Sequence, residues 1–156
     1  MDTATRRGHA ALRRGRHGAP HHAYHVSAAT AARVPLFADF DAACAAARCF
    51  GNPALLGDDR LLAWVLMPDH AHWLVELGGA GALATAVNRL KSASARAANR
   101  ALGRRGPVWA RVYFDRALRA EDDLIAVARY LVGNPVRAGL VRRASDYPFW
   151  DAVWLV

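Results

Sequence analysis

The stretch Leu66-Met67-Pro68-Asp69-His70-Ala71-His72-Trp73-Leu74-Val75-Glu76 decides how this chain is read. Pro68 belongs in a turn, because proline cannot donate to a strand ladder. The residues on either side predict two strands, Arg60–Leu66 and His70–Leu77, joined at Met67-Pro68-Asp69. Strand side chains alternate sides, so His70 and His72 leave the same face, where both rings can reach one divalent metal ion. Within an apolar strand an uncompensated polar pair is costly, and metal binding is the leading explanation for this one.

Working outward, His22–Thr30 predicts a first strand, with Tyr24, Val26 and Ala28 alternating with polar positions. Pro35–Cys49 predicts a helix with Leu36, Phe40, Ala43 and Ala47 as its apolar stripe. A second helix is expected over Ala82–Leu102, with Leu83, Val87, Leu90, Ala97 and Ala101 on one face and Arg89, Arg96 and Arg100 in a separate stripe. Val108–Leu118 predicts a further strand. Glu121-Asp122-Asp123 opens a third helix that should run to about Gly133, since Pro135 disfavours helical geometry at Asn134. The core stripe of that helix is Leu124, Ala128 and Leu131, widened by Val127 and Val132. The tail Tyr147-Pro148-Phe149-Trp150 is expected to pack back on the sheet. This order predicts an α+β fold of ferredoxin-like type, an antiparallel sheet with helices on one face.

The chain has 156 residues, enough for one domain with a sizeable core. Residues 1–20 read as a basic flexible arm and 21–156 as a single domain. Lys and Arg total 21 against 13 Asp and Glu, a net charge of +8, and every basic residue but Lys91 is arginine. Arginine forks to phosphate oxygens and stacks on bases, so the balance points to a polyanionic partner, most often nucleic acid. Cys44 and Cys49 make no metal pattern and are expected on one helix as small apolar residues in a reducing compartment. No apolar run is long enough to span a bilayer and no signal peptide is visible, so the expected location is the cytoplasm, away from membrane.

Tyr130 and Asn134 stand four residues apart, at the rim of the third helix's apolar stripe. Spacing alone allows two readings. The pair could face a cleft between helix and sheet, or it could be a half-buried tyrosine and an asparagine that helps end the helix before Pro135. Trp109 and Tyr113 are likewise open between base-stacking platforms and core aromatics, and Glu76 between a place near the metal and an ion pair at the strand end. The histidines His9, His17, His21, His22 and His25 are too loosely spaced to read as a second metal site.

Three segments together resemble the single-tyrosine HUH transposases, in particular their REP-associated tyrosine transposase branch. They are Met67-Pro68-Asp69-His70-Ala71-His72, then Gly106–Arg116 with its Trp109-Ala110-Arg111-Val112-Tyr113 run, then Ala128–Val141 with Tyr130, Asn134-Pro135 and Arg137-Ala138-Gly139-Leu140-Val141. The resemblance implies a metal-dependent endonuclease and strand transferase acting on single-stranded or hairpin DNA. It implies that His70, His72 and Asn134 hold Mg²⁺ or Mn²⁺, and that Tyr130 attacks the scissile phosphate to form a 5′-phosphotyrosine. A monomer is expected rather than a homodimer. The centre of the motif usually carries a bulkier residue than Ala71, which is tolerable because that side chain faces away from the metal. The ending Tyr147-Pro148-Phe149-Trp150-Asp151-Ala152 only partly matches the family's Tyr-Pro-Trp-Ser-Ser.

The chemistry is coherent. A free phenol titrates near 10 and is a poor nucleophile at neutral pH, so activation of the phosphate by a metal is useful. Two neutral imidazoles and an amide oxygen leave the ion its full charge, and imidazole suits Mn²⁺ better than Mg²⁺. Arg89, Lys91, Arg96, Arg100, Arg111 and Arg116 are the candidates for DNA contact. Two other readings use the same residues: a catalytically inactive DNA-binding protein of the same fold, and a small zinc hydrolase, which lacks an evident third His or carboxylate ligand.

Overall fold

The structure, a computed structural model, describes residues 22–79, 81–119 and 123–154. The basic arm expected at 1–20 lies outside the described residues, as do Glu121 and Asp122. The strands are β1 (Ala23–Ala29), β2 (Arg60–Leu66), β3 (His70–Glu76), β4 (Phe114–Ala117) and β5 (Trp150–Ala152). The helices are α1 (Phe40–Phe50), α2 (Leu83–Leu102), α3 (Leu124–Val132) and the single turn α4 (Asn134–Arg137). The strands form one antiparallel sheet in the order β4-β1-β3-β2-β5. The first four strands with α1 and α2 make the expected ferredoxin-like unit, and the tail adds β5 beside β2.

Local chemistry sets the boundaries. The helix expected from Pro35 starts at Phe40, because the Asp39 carboxylate accepts the Ala42 amide at 3.0 Å and Asp39 itself stays extended. Pro35 instead precedes a separate 3-10 turn, Leu36–Ala38. Helix α2 ends as expected at Gly103, whose φ of +61° favours glycine. Its later turns bury Ser94 and Ala98 rather than Ala97 and Ala101, continuing the row that Val87 and Leu90 begin.

The strand expected over Val108–Leu118 shrinks to Phe114–Ala117, with one isolated bridge between Trp109 and Thr30. A continuous strand would put Arg111 in the same buried row as Trp109, Tyr113 and Asp115. Burying a guanidinium there is costly, so the chain leaves the ladder and Arg111 stays exposed. The Ala110 carbonyl, outside the ladder, accepts from Lys91 Nζ at 2.7 Å.

The helices do not all share one face. Helices α1 and α2 cover the side bearing Tyr24, Val26, Trp64, Leu66, Ala71, Trp73 and Val75, the larger core. Helix α3 packs on the other side, where Ala128 and Leu131 meet Leu62, Ala63, Val65, Met67 and Leu74. The expectation of helices on a single face is therefore corrected: Leu74 and Val65 are apolar on the second face and need a cover of their own. That face is the one from which His70 and His72 project.

Candidate active site

The strand register aligns side chains in rows across the second face. Phe114 faces Ser27, Ser27 faces His72, His72 faces Val65 and Val65 faces Trp150. In the next row Arg116 faces His25, His25 faces Leu74 and Leu74 faces Ala63. Helix α3 covers the Leu74 and Val65 end of these rows. The histidines stand at the border of that cover. His70 and His72 meet edge-on, with ring centroids 5.1 Å apart. Ala71 is fully buried on the opposite side, so its small size leaves the histidine face untouched.

Each ring has a partner at Nδ1. His70 Nδ1–H donates to Asp69 Oδ1 at 2.8 Å. This bond holds the Asp69 carboxyl below its ordinary range, and Arg33 adds to the effect, its Nε 3.6 Å from Oδ2. Ala32 and Arg33 both adopt left-handed backbone, φ +54° and +56°, an uncommon pair of non-glycine residues. Buried Thr30 pins this turn, its hydroxyl 2.7 Å from the Val34 carbonyl and 3.1 Å from that of Asp69. His72 Nδ1 lies 3.0 Å from His25 Nε2. Burial chiefly, then the charges of His25, His70 and Arg137, push the His72 pKa down to about 3, so the ring is neutral. Burial and then Arg116 lower that of His25.

The other half of the site comes from the end of α3. Asp123 caps that helix by accepting from Ile125 and Ala126. The helix breaks after Val132, one residue before the expected Gly133, and a further turn follows. Pro135 has no amide hydrogen to give the Leu131 carbonyl. The Asn134 side chain fills that role: Nδ2 donates to Leu131 O at 3.0 Å. Tyr130 is 64 % exposed, and the Arg137 guanidinium lies over its ring, 3.8 Å from the centroid. A side chain on Gly133 would come within 2.8 Å of that guanidinium, so glycine here makes room for the stack. Arg137 is also the last of the charges that lower the His72 pKa.

The basic candidates separate. Arg116 stands in the histidine face opposite His25. Arg89, Arg96 and Arg100 lie on α2, in the layer covering the other face, and Arg111 is exposed before β4. Lys91 is partly buried and tied to the Ala110 carbonyl. Trp109 and Tyr113 are core aromatics, 7 % and 6 % exposed, and Trp109 Nε1–H donates to Ser94 Oγ at 3.0 Å. Neither offers a face to a base, because the large core needs their area. Glu76 sits at the strand end and pairs with Arg60 at 3.5 Å. A cavity of about 420 Å³ near Phe50, Leu56, Trp64 and Asp151 includes none of the site residues. Among the described residues no three His, Cys, Asp or Glu side chains form a metal-holding group.

Sequence reasoning missed His25, Asp69 as a partner of His70, and Arg137. Asp69 was legible from its place beside the pair. His25 was not, because its contact depends on the β1–β3 register.

Residues 19–134 match the family described as "Transposase IS200 like". The chain belongs to the IS200-like transposase family. Among solved structures, this transposase shares its fold with a REP-associated tyrosine transposase bound to a REP hairpin, at 21 % identity and a TM-score of 0.64, over 86 % of this chain and 79 % of the other. It also resembles a protein of Deinococcus radiodurans R1 assigned as a transposase, at 24 % identity and a TM-score of 0.53, over 75 % of this chain and 93 % of that one. No curated protein matches the transposase in sequence. None of its described helices is long and apolar enough to cross a membrane.

Proposed function

We propose that this transposase nicks and rejoins single-stranded DNA beside hairpins, with Tyr130 as nucleophile and His70, His72 and Asn134 holding Mg²⁺ or Mn²⁺. The observation that carries the reading is geometric: helix α3 packs on the sheet face from which His70 and His72 project, and its end presents an exposed Tyr130 under the Arg137 guanidinium. The hairpin is taken over from the structural neighbour bound to one.

The donor set fits such an ion. His70 Nδ1 is engaged by Asp69, which leaves Nε2 to face an ion, and His72 offers Nε2 when its Nδ1–H points at His25. Asn134 has its amide nitrogen committed to Leu131, which leaves Oδ1 as the acceptor. When bound, the metal supplies Lewis acidity that offsets charge building on the scissile phosphate.

The protein's own groups do the rest. Arg137 holds the phenol in place and brings positive charge to the phosphate. Tyr130 Oη bonds to phosphorus while the bond from phosphorus to the 3′ oxygen breaks. The phenolic proton leaves to water, and the departing 3′ oxygen takes one up. The 5′ side stays esterified to Tyr130 until a 3′ hydroxyl attacks in reverse.

The test incubates a hairpin oligonucleotide bearing a single-stranded flank with Mn²⁺ and resolves products on a denaturing gel. A protein–DNA adduct is expected from the wild type, with none from Tyr130→Phe or with chelator. An adduct from Tyr130→Phe would remove Tyr130 as nucleophile. Salt-dependent binding without any cleavage would favour the inactive DNA-binding reading.

A further inference from the structure

The β1–β3 ladder ends with Ala29 opposite His70, and the next residue, Thr30, meets Asp69. Thr30 N–H donates to the Asp69 carbonyl at 2.9 Å, and Phe37 N–H donates to that of Pro68 at 3.0 Å. The gripping segment is itself anchored. Ala31 N–H donates to Val108 O at 2.9 Å, and the buried Phe37 ring stands 5.3 Å from that of Trp109 in the larger core. The turn that carries Asp69 is thus held along its main chain by a segment fixed to the core.

A second grip acts on the side chain. Ala32 and Arg33 run left-handed, and the turn they make is closed by the Thr30 hydroxyl, 2.7 Å from Val34 O. Arg33 Nε then lies 3.6 Å from Asp69 Oδ2, while Asp69 Oδ1 receives His70 Nδ1–H at 2.8 Å. Glycine adopts such backbone without steric cost, whereas alanine and arginine do not. An exposed ion pair of this length adds little to stability, so the pair does not account for the strain by steadying the fold. Strained backbone of this kind clusters where a functional group has to be aimed.

We propose that Thr30 and the left-handed pair Ala32–Arg33 are positioning residues for His70. The turn holds Asp69 by main chain and carboxylate together, and Asp69 so held keeps the His70 proton on Nδ1, with Nε2 turned to the ion. The inference rests on the reading of His70 as a metal ligand given above, but the ring tautomer exists without metal, so the two can fail separately.

Proton–nitrogen NMR spectra of the metal-free protein, recorded in mildly alkaline solution, report which ring nitrogen of His70 carries the proton. The wild type should show Nδ1 protonated. Thr30→Val keeps the size of the side chain and loses the hydroxyl. It should give a mixture of tautomers and weaken Mn²⁺ binding up to about 10-fold in electron paramagnetic resonance titration, the lower end of what a direct partner of a ligand contributes. Thr30→Ser should restore both. Ala32→Val, at an exposed position, disfavours the left-handed turn and should act like Thr30→Val. Ala32→Gly favours the turn and should leave both readouts at wild-type values. Should Thr30→Val fail to fold, the Ala32 pair of variants decides. A wild-type tautomer in Ala32→Val, or equal changes in Ala32→Val and Ala32→Gly, would overturn the proposal. So would a loss in Thr30→Ser as large as that in Thr30→Val. A His70 tautomer that responds to Thr30 and Ala32 in a protein that binds no Mn²⁺ would retain the positioning and reject the metal reading.

Discussion

His25 Nε2 lies 3.0 Å from His72 Nδ1, across the β1–β3 pair. Both pKa values are lowered by burial, so the contact joins two neutral rings, one of which donates. For His72 Nε2 to hold a metal, the proton must sit on Nδ1 and point at His25. His25→Phe removes the acceptor while keeping a ring. It should weaken Mn²⁺ binding by about 10- to 100-fold, followed by electron paramagnetic resonance titration. An unchanged affinity would show that His25 does not select the tautomer.

Asp69 does the same for His70 and is itself steadied by Arg33. Asp69→Ala should weaken Mn²⁺ binding by about 10-fold or more, and Arg33→Gln by less, because that pair is longer and exposed. Equal effects of the two would point to general disturbance of the turn.

Gly133 leaves space for the Arg137 guanidinium over Tyr130. Gly133→Ala keeps an allowed φ of −77°, and its Cβ would press the guanidinium hardest, with the Arg129 carbonyl oxygen next at 3.3 Å. It should slow adduct formation in single-turnover assays while shifting stability by no more than about 0.5 kcal/mol. Arg137→Lys should slow it too, because an ammonium does not stack as a planar guanidinium does.

Tyr147 ties the tail to the sheet: its hydroxyl donates to the Leu66 carbonyl at 2.6 Å, and burial pushes its pKa up to about 12. Tyr147→Phe should cost about 1 kcal/mol in chemical denaturation. The raised pKa gives a sign. Below about pH 10 the phenol is protonated in both folded and unfolded chains and its contribution is complete. As pH rises from about 10 towards about 12 only the unfolded chain loses the proton, so stability falls. Tyr147→Phe should make that decline shallower.

Ser94 is fully buried on α2, donating to Leu90 O at 2.6 Å and accepting from Trp109 at 3.0 Å. Ser94→Ala strands the indole N–H in the core. The expected loss is about 1–3 kcal/mol, read from denaturant unfolding.

The sequence by itself determined what depends on neighbours along the chain. The spacing of His70 and His72 put both on one face of a strand, and the order of apolar periods set the ferredoxin-like succession of elements. Tertiary structure decided the rest. Which face of the sheet α3 would cover, whether Trp109 or Phe114 would meet solvent, and that His25 and Arg116 would join the histidine pair all depend on strand register and on competition for core area. Those choices are made between residues dozens of positions apart, where local periodicity carries no information; Arg111 shows it, a charged side chain in an otherwise buried row at which most of an expected strand is lost.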